Sequence, residues 1–331
     1  MLAGVLFLTV GTAAQGQNYE ASGFVLRNNA PFSAIIGVPG RWPNDTNQTA
    51  ELSWNISNQS LSQENDRESL FLDGETQTLQ LRFQYRPLSR VNIGIEIPWI
   101  YHSGGFLDNT IDTWHDIFGV SEGIRPQTPR NDLKFRYERD DSQSANLDNS
   151  TSGIGDIDLG LVVDLGSAGS IDASYLHQLT WALTFNLEAP TGDADKLTGN
   201  GHTDLAAGLR ARSPLKDASR YSWWLDLGLV WPGDVDIAGL NSSGQVFYYD
   251  AALAWRAHRR LDILLQVAGN SPLYQSGLKM LGRPAAQLGI GALWHITEKY
   301  GLRVGFFEDI RAETSTDFGF ELSLIYRSGK K

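Results

Sequence analysis

Two histidines have neighbours that could support catalysis. His115 stands between Asp112 and Asp116, which suggests a base with a carboxylate to orient it. His202 precedes Thr203 and suggests half of a hydrolytic pair. No spacing in the sequence brings a nucleophile within reach of either imidazole. These histidines therefore do not predict an active site.

Metal and cofactor chemistry has equally little support. The stretch "EAPTGDADK" offers Asp193 and Asp195 for calcium, but two carboxylates in a loop are usually just solvated. The six histidines show no ligand spacing, and cysteine is absent, which removes thiolate sites and thiol nucleophiles. The stretch "GIGDIDLG" has misspaced glycines for a dinucleotide fingerprint and leads into a strand. The sequence predicts no cofactor, no metal site and no enzyme.

Charge excludes a further class of partner. The chain of 331 residues has a formal net charge of −11. No basic stripe exists to displace counterions from phosphates. Nucleic acid is therefore not an expected partner.

A period of two dominates the rest of the chain. In "TQTLQLRFQYRPLSRVNIGIEIPWI", residues 76 to 100, apolar side chains alternate with polar ones on both sides of the "PLSR" turn. Side chains in a strand point to opposite faces, so each arm is a strand with one apolar and one polar face. The arms together predict a hairpin.

The pattern recurs as twelve sets of outward apolar residues. Most of the strands they predict are about nine to eleven residues long, the length that crosses a bilayer at a tilt. Aromatic residues stand near the strand ends, where girdles would meet the membrane interfaces. The sets are 50–56, 79–85, 91–99, 157–165, 179–187, 205–211, 221–231, 247–255, 261–267, 288–294, 302–306 and 318–326.

The opposite faces of these strands carry many charges. A soluble β-sandwich or propeller, the main alternative, could not hold so many charges unpaired in its core, whereas a watery barrel lumen could. The candidate lumen or pore residues are Arg82, Arg86, Glu96, Asp158, Glu188, Arg210, Asp226, Asp250, Arg256, Arg303 and Glu321.

We therefore predict an all-β fold, a single transmembrane antiparallel β-barrel of about 12 strands, within a range of about 10 to 14. Its connections alternate between short turns and longer loops, and the longer ones include 58–75 and 102–155. A strand-like "NDLKFRYER" inside 102–155 leaves open whether that segment joins the wall.

One short amphipathic helix is predicted within the long loop, over residues 107–118. Leu107, Ile111, Trp114 and Phe118 share one helical face. Two interpretations stay open: a helix that narrows the pore, or a rim helix packed on loops. The candidate constriction residues are Asp108, Asp112, Trp114, His115 and Asp116.

The chain divides into four parts. Residues 1–16 resemble a signal peptide with a cut near Ala14 to Gly16, although basic residues are missing at the start. Residues 17–48 form an N-terminal periplasmic or lumenal segment. The barrel spans 49–327, and 328–331 are a tail. These features predict export to a bacterial outer membrane, with outer-membrane lipid as a partner.

Several phrases resemble a bacterial family catalogued as domain of unknown function 3187, a group of predicted outer-membrane proteins. They are "LRNNAPFSAIIGVP", "GFLDNTIDTWHDIFG", "GHTDLAAGL", "GNSPLYQS" and "TDFGFELSLIYR". The resemblance spans residues 24–327 and implies location and architecture without an activity. Barrels of this kind end on an aromatic residue recognised by the outer-membrane assembly machinery, whereas here Tyr326 is followed by "RSGKK".

These observations favour a channel or uptake protein for small solutes, amphipathic ones among them. A non-conducting structural barrel is the first alternative and a membrane-embedded lipid-modifying enzyme the second. A lipid-facing Ser–His pair, which the enzyme would need, is not visible at the outward positions.

Overall fold

The computed structural model describes residues 23–42, 47–107, 131–140, 143–167, 179–213, 220–316 and 318–328. Fifteen strands lie in these ranges. They are β1 (Gln48–Glu64), β2 (Glu68–Leu88), β3 (Val91–Ser103), β4 (Lys134–Arg139), β5 (Gln143–Leu147), β6 (Thr151–Ile154), β7 (Ile157–Ser167), β8 (Thr180–Ala189), β9 (Asp204–Arg212), β10 (Tyr221–Trp231), β11 (Val246–His258), β12 (Leu261–Asn270), β13 (Ala285–His295), β14 (Tyr300–Asp309) and β15 (Phe318–Arg327).

Twelve of these strands form a closed antiparallel barrel. The order runs β1, β2, β3, then β7 to β15, and β15 pairs with β1 to complete the ring. Each of the twelve predicted sets falls on one of these wall strands, so the strand number and the closure are confirmed. Closure leaves no ladder edge in the wall.

The hairpin of β1 and β2 is longer than predicted. Residues 58–75 were expected to form a loop, but the ladder continues to Glu64↔Ser69, and only residues 65–67 connect the strands. The expectation was wrong because the inner and outer faces lose their polar and apolar contrast beyond Ile56, although pairing continues. Since β3 ends its pairing at Glu75↔Ser103, residues 58–74 rise above the rim of the wall, and we call them the extension.

Three short strands supplement the twelve strands of the ring. The "NDLKFRYER" stretch forms β4, which pairs with the extension at Leu72↔Phe135 and with β5 on its other side. β6 pairs with the upper end of β3. The long excursion therefore adds β4 and β5 above the rim, while β6 continues the line of β7 along β3, and the wall stays at twelve strands.

Helical structure is scarce in the described ranges. It consists of a 3₁₀ turn at Ala194–Lys196 and a single α turn, α1, at Lys279–Gly282. No helix among these residues is long and apolar enough to cross a membrane. The predicted helix over 107–118, apart from Leu107, lies outside the described residues.

The two faces of the wall differ sharply. Every wall strand presents at least one large apolar side chain that is more than a third exposed, as with Leu81, Leu265 and Leu324. The inner face is polar and buried. An exposed apolar area this extensive is unusual on a water-soluble monomer.

A separate segment fills the barrel. Residues 23–42, which we call the finger, contact wall strands on all sides through Gln266, Glu321, Glu96 and Asp204. The finger rises to a tight turn, in which the amide groups of Ser33 and Ala34 donate to the carbonyl of Ala30 at 2.8 Å. It then returns towards the end of the barrel where β1 begins. We call that the short-turn end, and the opposite end the long-loop end.

The tip of the finger lies in the main apolar core. Phe32, Ile35 and Ile36 are at most 2% exposed and belong to a cluster with residues of the extension, β4 and the long-loop end. Tyr274 donates its hydroxyl to the carbonyl of Phe32. This core sits at the long-loop end of the barrel interior.

Candidate functional site in the barrel interior

Most candidate lumen residues lie buried on the inner face, and Arg86 and Arg256 lie half-buried. The buried ones are Arg82, Glu96, Asp158, Glu188, Arg210, Asp226, Asp250, Arg303 and Glu321. The candidate constriction residues Asp108, Asp112, Trp114, His115 and Asp116 lie outside the described residues.

One group of these side chains pairs within the wall. Arg210 forms a bidentate pair with Asp226, with Nε–Oδ1 and Nη2–Oδ2 both at 2.7 Å. Arg303 binds Glu321 and Glu51 together, and the Ser323 hydroxyl adds a further contact. Planar guanidinium groups suit such bidentate pairing, so these arginines hold adjacent strands together.

A second group binds the finger through Glu96. Arg27 of the finger donates to Glu96 Oε1, while Arg82 Nε lies 2.9 Å from Glu96 Oε2. Arg82 also donates from Nη2 to the carbonyl of Arg41 at 2.9 Å. One wall carboxylate thus joins a wall arginine to a finger arginine.

The second finger arginine stacks on an aromatic ring. The Arg41 guanidinium carbon lies 4.0 Å from the centroid of the Trp224 ring. Trp224 donates Nε1–H to Asp250 Oδ1 at 2.9 Å, and Gln266 donates to Asp250 Oδ2 at 2.6 Å. Gln266 also accepts from the amide of Phe24 at 2.8 Å, which ties the other limb of the finger to the same network.

Trp42 fixes the base of the finger. Its indole packs where β3 and β7 carry Gly94 and Gly160 in place of side chains. A Cβ on Gly160 would lie 2.3 Å from Trp42 Nε1, and one on Gly94 2.5 Å from the ring. Arg210 donates to the Trp42 carbonyl. These glycines are needed because the ring approaches the wall backbone closely.

Carboxylates crowd one side of the interior. Asp204 accepts from the amide of Gly37 at 2.7 Å, and Asp158 accepts from Asn186 at 3.0 Å. Asp156, between β6 and β7, is buried and accepts hydrogen bonds from the Gly192 and Asn200 amides. The local excess of acid is offset by only a few cations.

Little empty space remains around the finger. Two cavities, of about 20 and 30 Å³, lie between the finger and the wall. Each is large enough for about one water molecule. Among the described residues, the finger therefore fills most of the space inside the wall.

The other chemical candidates do not assemble into a site. The carboxylate of Asp236 lies 3.9 Å from His202 Nδ1, and both side chains are exposed. Asp193 caps the 3₁₀ turn and pairs with Lys196 at 2.9 Å. Within the described ranges, no cluster of His, Cys, Asp or Glu is suited to a metal ion.

Sequence reasoning missed the finger contacts. Arg27, Arg41 and Trp42 lie in a segment without a period, so no pattern predicted their partners. Trp224 did give a signal, because it occupies an inward position in "YSWWLDL", where most neighbours are polar or small. An aromatic residue on a lumen face indicates that something packs against it.

A family model described as "Protein of unknown function (DUF3187)" matches residues 3–328. No curated protein matches the sequence.

Among solved structures, the COG4313 outer membrane channel from Pseudomonas putida F1 aligns with a TM-score of 0.54 and 12% identity, covering 86% of this chain and 96% of that one. The NanC porin aligns with a TM-score of 0.47 and 8% identity, covering 85% and 100%. The toluene transporter TodX from P. putida aligns at 0.39 and 11%, covering 87% and 91%. At such identities the first alignment supports a shared fold.

Proposed function

The chain belongs to the DUF3187 family, and for this member of a family of unknown function we propose an outer-membrane channel for small solutes that the finger closes. Separate observations support the location of the barrel in a membrane and the role of its interior.

The outer face of the wall supports a membrane location. Exposed apolar side chains surround the ring, and aromatic residues stand near both ends: Trp99, Tyr101 and Trp231 at the long-loop end, and Trp255 and Trp294 at the short-turn end. The closed ladder satisfies the wall backbone internally, as hydrocarbon demands. In outer-membrane barrels the short turns face the periplasm, which places the base of the finger there.

The barrel is filled by a separate segment of the chain, the finger, and this supports the channel role. The inner face of the wall is polar and charged, and a separate chain segment, rather than wall side chains alone, occupies the space. The finger joins the wall covalently only through residues 43–47, before β1. A lumen filled by a tethered segment can open without any wall strand moving. The filling of a polar lumen by this separate segment is the observation that carries the proposal.

Single-channel recording in planar bilayers tests the role. The full-length protein should be closed, whereas a full-length Arg27→Ala/Arg41→Ala variant should conduct, because it lacks the two charges that seat the finger. A matched control, Arg67→Ala/Arg311→Ala, removes two exposed arginines and should stay closed. Protease resistance of the wall in lipid vesicles confirms that each variant has folded and inserted.

Closed bilayers for the correctly inserted double variant would overturn the channel. They would favour the second candidate, a non-conducting structural barrel. The specific observation in favour of that candidate is the tight packing of the finger, because the two cavities between it and the wall each hold about one water molecule.

A further inference from the structure

The finger places two cations, Arg27 and Arg41, in an interior rich in carboxylates. Each guanidinium contacts groups of the wall that are suited to cations. The chemistry of these two positions indicates which solutes the lumen would accept in place of the finger.

The position of Arg41 combines an aromatic face with nearby carboxylates. The ring of Trp224 lies 4.0 Å from the guanidinium carbon, and its Nε1–H is bound to Asp250. The charges of Arg210 and Arg212 oppose a cation at this position, whereas those of Asp226 and Asp250 favour it. A tryptophan face backed by carboxylates is a favourable environment for a guanidinium or ammonium group.

The position of Arg27 is a carboxylate cluster. Arg27 binds Glu96 and lies within the electrostatic reach of Asp158 and Glu188. Glu188 is 7% exposed, and its Oε2 has no hydrogen-bond partner among the described residues. This carboxylate lines the 30 Å³ cavity together with Arg27. The pocket therefore retains a buried acceptor that the finger does not use.

The described wall itself pairs Glu96 with Arg82 but supplies no cation to the other acids of these two positions. Arg210 and Arg303 are committed to Asp226 and to the Glu51–Glu321 pair. Within the described part of the chain, no wall arginine or lysine forms a salt bridge with Asp158, Glu188 or Asp250. Displacing the finger therefore leaves Asp158, Glu188 and Asp250 in the lumen without a salt-bridge partner from the described wall.

We propose that this lumen, with the finger displaced, binds and passes organic cations that carry a guanidinium or ammonium group. The inference rests on the proposed channel function and adds its substrate class. Trp224 and Asp250 form one binding position, and Glu96, Asp158 and Glu188 form the other. Arg41 and Arg27 occupy these positions in the closed state, so the finger competes with the solute. Rings of acidic side chains favour cations in pores.

Ion selectivity is the first test. With the conducting Arg27→Ala/Arg41→Ala protein in a potassium chloride gradient, the reversal potential should indicate potassium permeability about fivefold or more above that of chloride. Adding Glu188→Gln and Asp250→Asn should reduce that preference. Conductance with equal or greater chloride permeability would overturn the cation inference and leave the channel standing.

Chemical rescue is the second test and needs no conductance. Millimolar methylguanidinium should raise the thermal midpoint of full-length Arg41→Ala, whereas its neutral analogue methylurea should not. The wild type should not respond, because Arg41 fills the position. Adding Asp250→Asn should weaken the apparent affinity about tenfold.

The two tests separate the two proposals. Rescue without conductance would support the cation site and overturn the channel. Equal responses of Arg41→Ala to methylguanidinium and methylurea would overturn the cation site, whatever the bilayers show.

Discussion

The wall and the finger are held by different chemistry. In the wall, Arg303, Glu51 and Glu321 satisfy one another, and continuous ladders join every neighbouring pair of strands. The finger has no ladder, and its limbs depend on wall side chains such as Glu96, Trp224 and Gln266. We therefore expect the ring to persist without the finger, and the finger to lose its fixed conformation without the ring.

The largest loss in the free energy of unfolding should follow from breaking the network of Arg303, Glu51 and Glu321 in the wall. Arg303→Met leaves two buried carboxylates side by side without their cation, and we expect a loss of about 3–5 kcal/mol in the free energy of unfolding. Urea unfolding of the protein in lipid vesicles measures it. The matched variant Arg256→Met, at a half-buried pair with Asp262, should cost less. Equal midpoints for wild type and Arg303→Met would show that the ladders alone hold the wall.

A smaller effect should follow from unseating the finger. Gly160→Ala places a Cβ 2.3 Å from Trp42 Nε1, so the indole has to move. Overpacking of this kind costs about 1–3 kcal/mol, and it should appear as faster proteolysis of the finger with an unchanged wall. Gly153→Ala is the control, because its Cβ would meet Thr198 at an ordinary 3.6 Å. If the wall of Gly160→Ala were also cut faster by protease, the finger and the wall would not be separate regions.

A third effect, similar in size to the second, concerns the core above the finger tip. Glu68, in the extension, accepts from the Gly277 amide and the Tyr137 hydroxyl, both at 2.8 Å. Burial alone would raise the pKa of Glu68, but these hydrogen bonds and those from Ser276 and Asn65 lower it overall. We expect Glu68→Gln to cost about 1–3 kcal/mol at neutral pH.

The pH dependence of that effect has a definite sign. Because the folded pKa is lowered, the contribution of Glu68 is present above the unfolded value and is lost as pH falls through the folded value. The unfolding midpoints of wild type and Glu68→Gln, measured in urea, should therefore converge below about pH 4. Arg67→Ala breaks an exposed pair with Asp140 next to Glu68. It should leave the urea midpoint unchanged both at neutral pH and in acid. A gap that widens in acid would contradict the assignment.

The sequence predicted the strands of the wall better than the contacts of the finger inside it. Alternation such as Leu79, Leu81, Phe83 and Tyr85 is a local property, so it identified all twelve wall strands. Alternation did not predict the extension, because Leu70 and Leu72 are apolar residues on the same side as Arg82. Their burial depends on Phe135 and the finger tip. The partners of Arg27 and Arg41 come from distant strands, and no spacing along the chain encodes such contacts.

The seam between β1 and β15 sets an order of events for assembly. These are the first and last wall strands, and Thr49 pairs with Arg327 across the seam. The ring cannot close until the last strand has been made and delivered, so its closure is governed by a contact of very high sequence separation. The finger is tethered directly to β1 at that seam. It must therefore either be enclosed at the moment of closure or thread into a finished ring from the short-turn end.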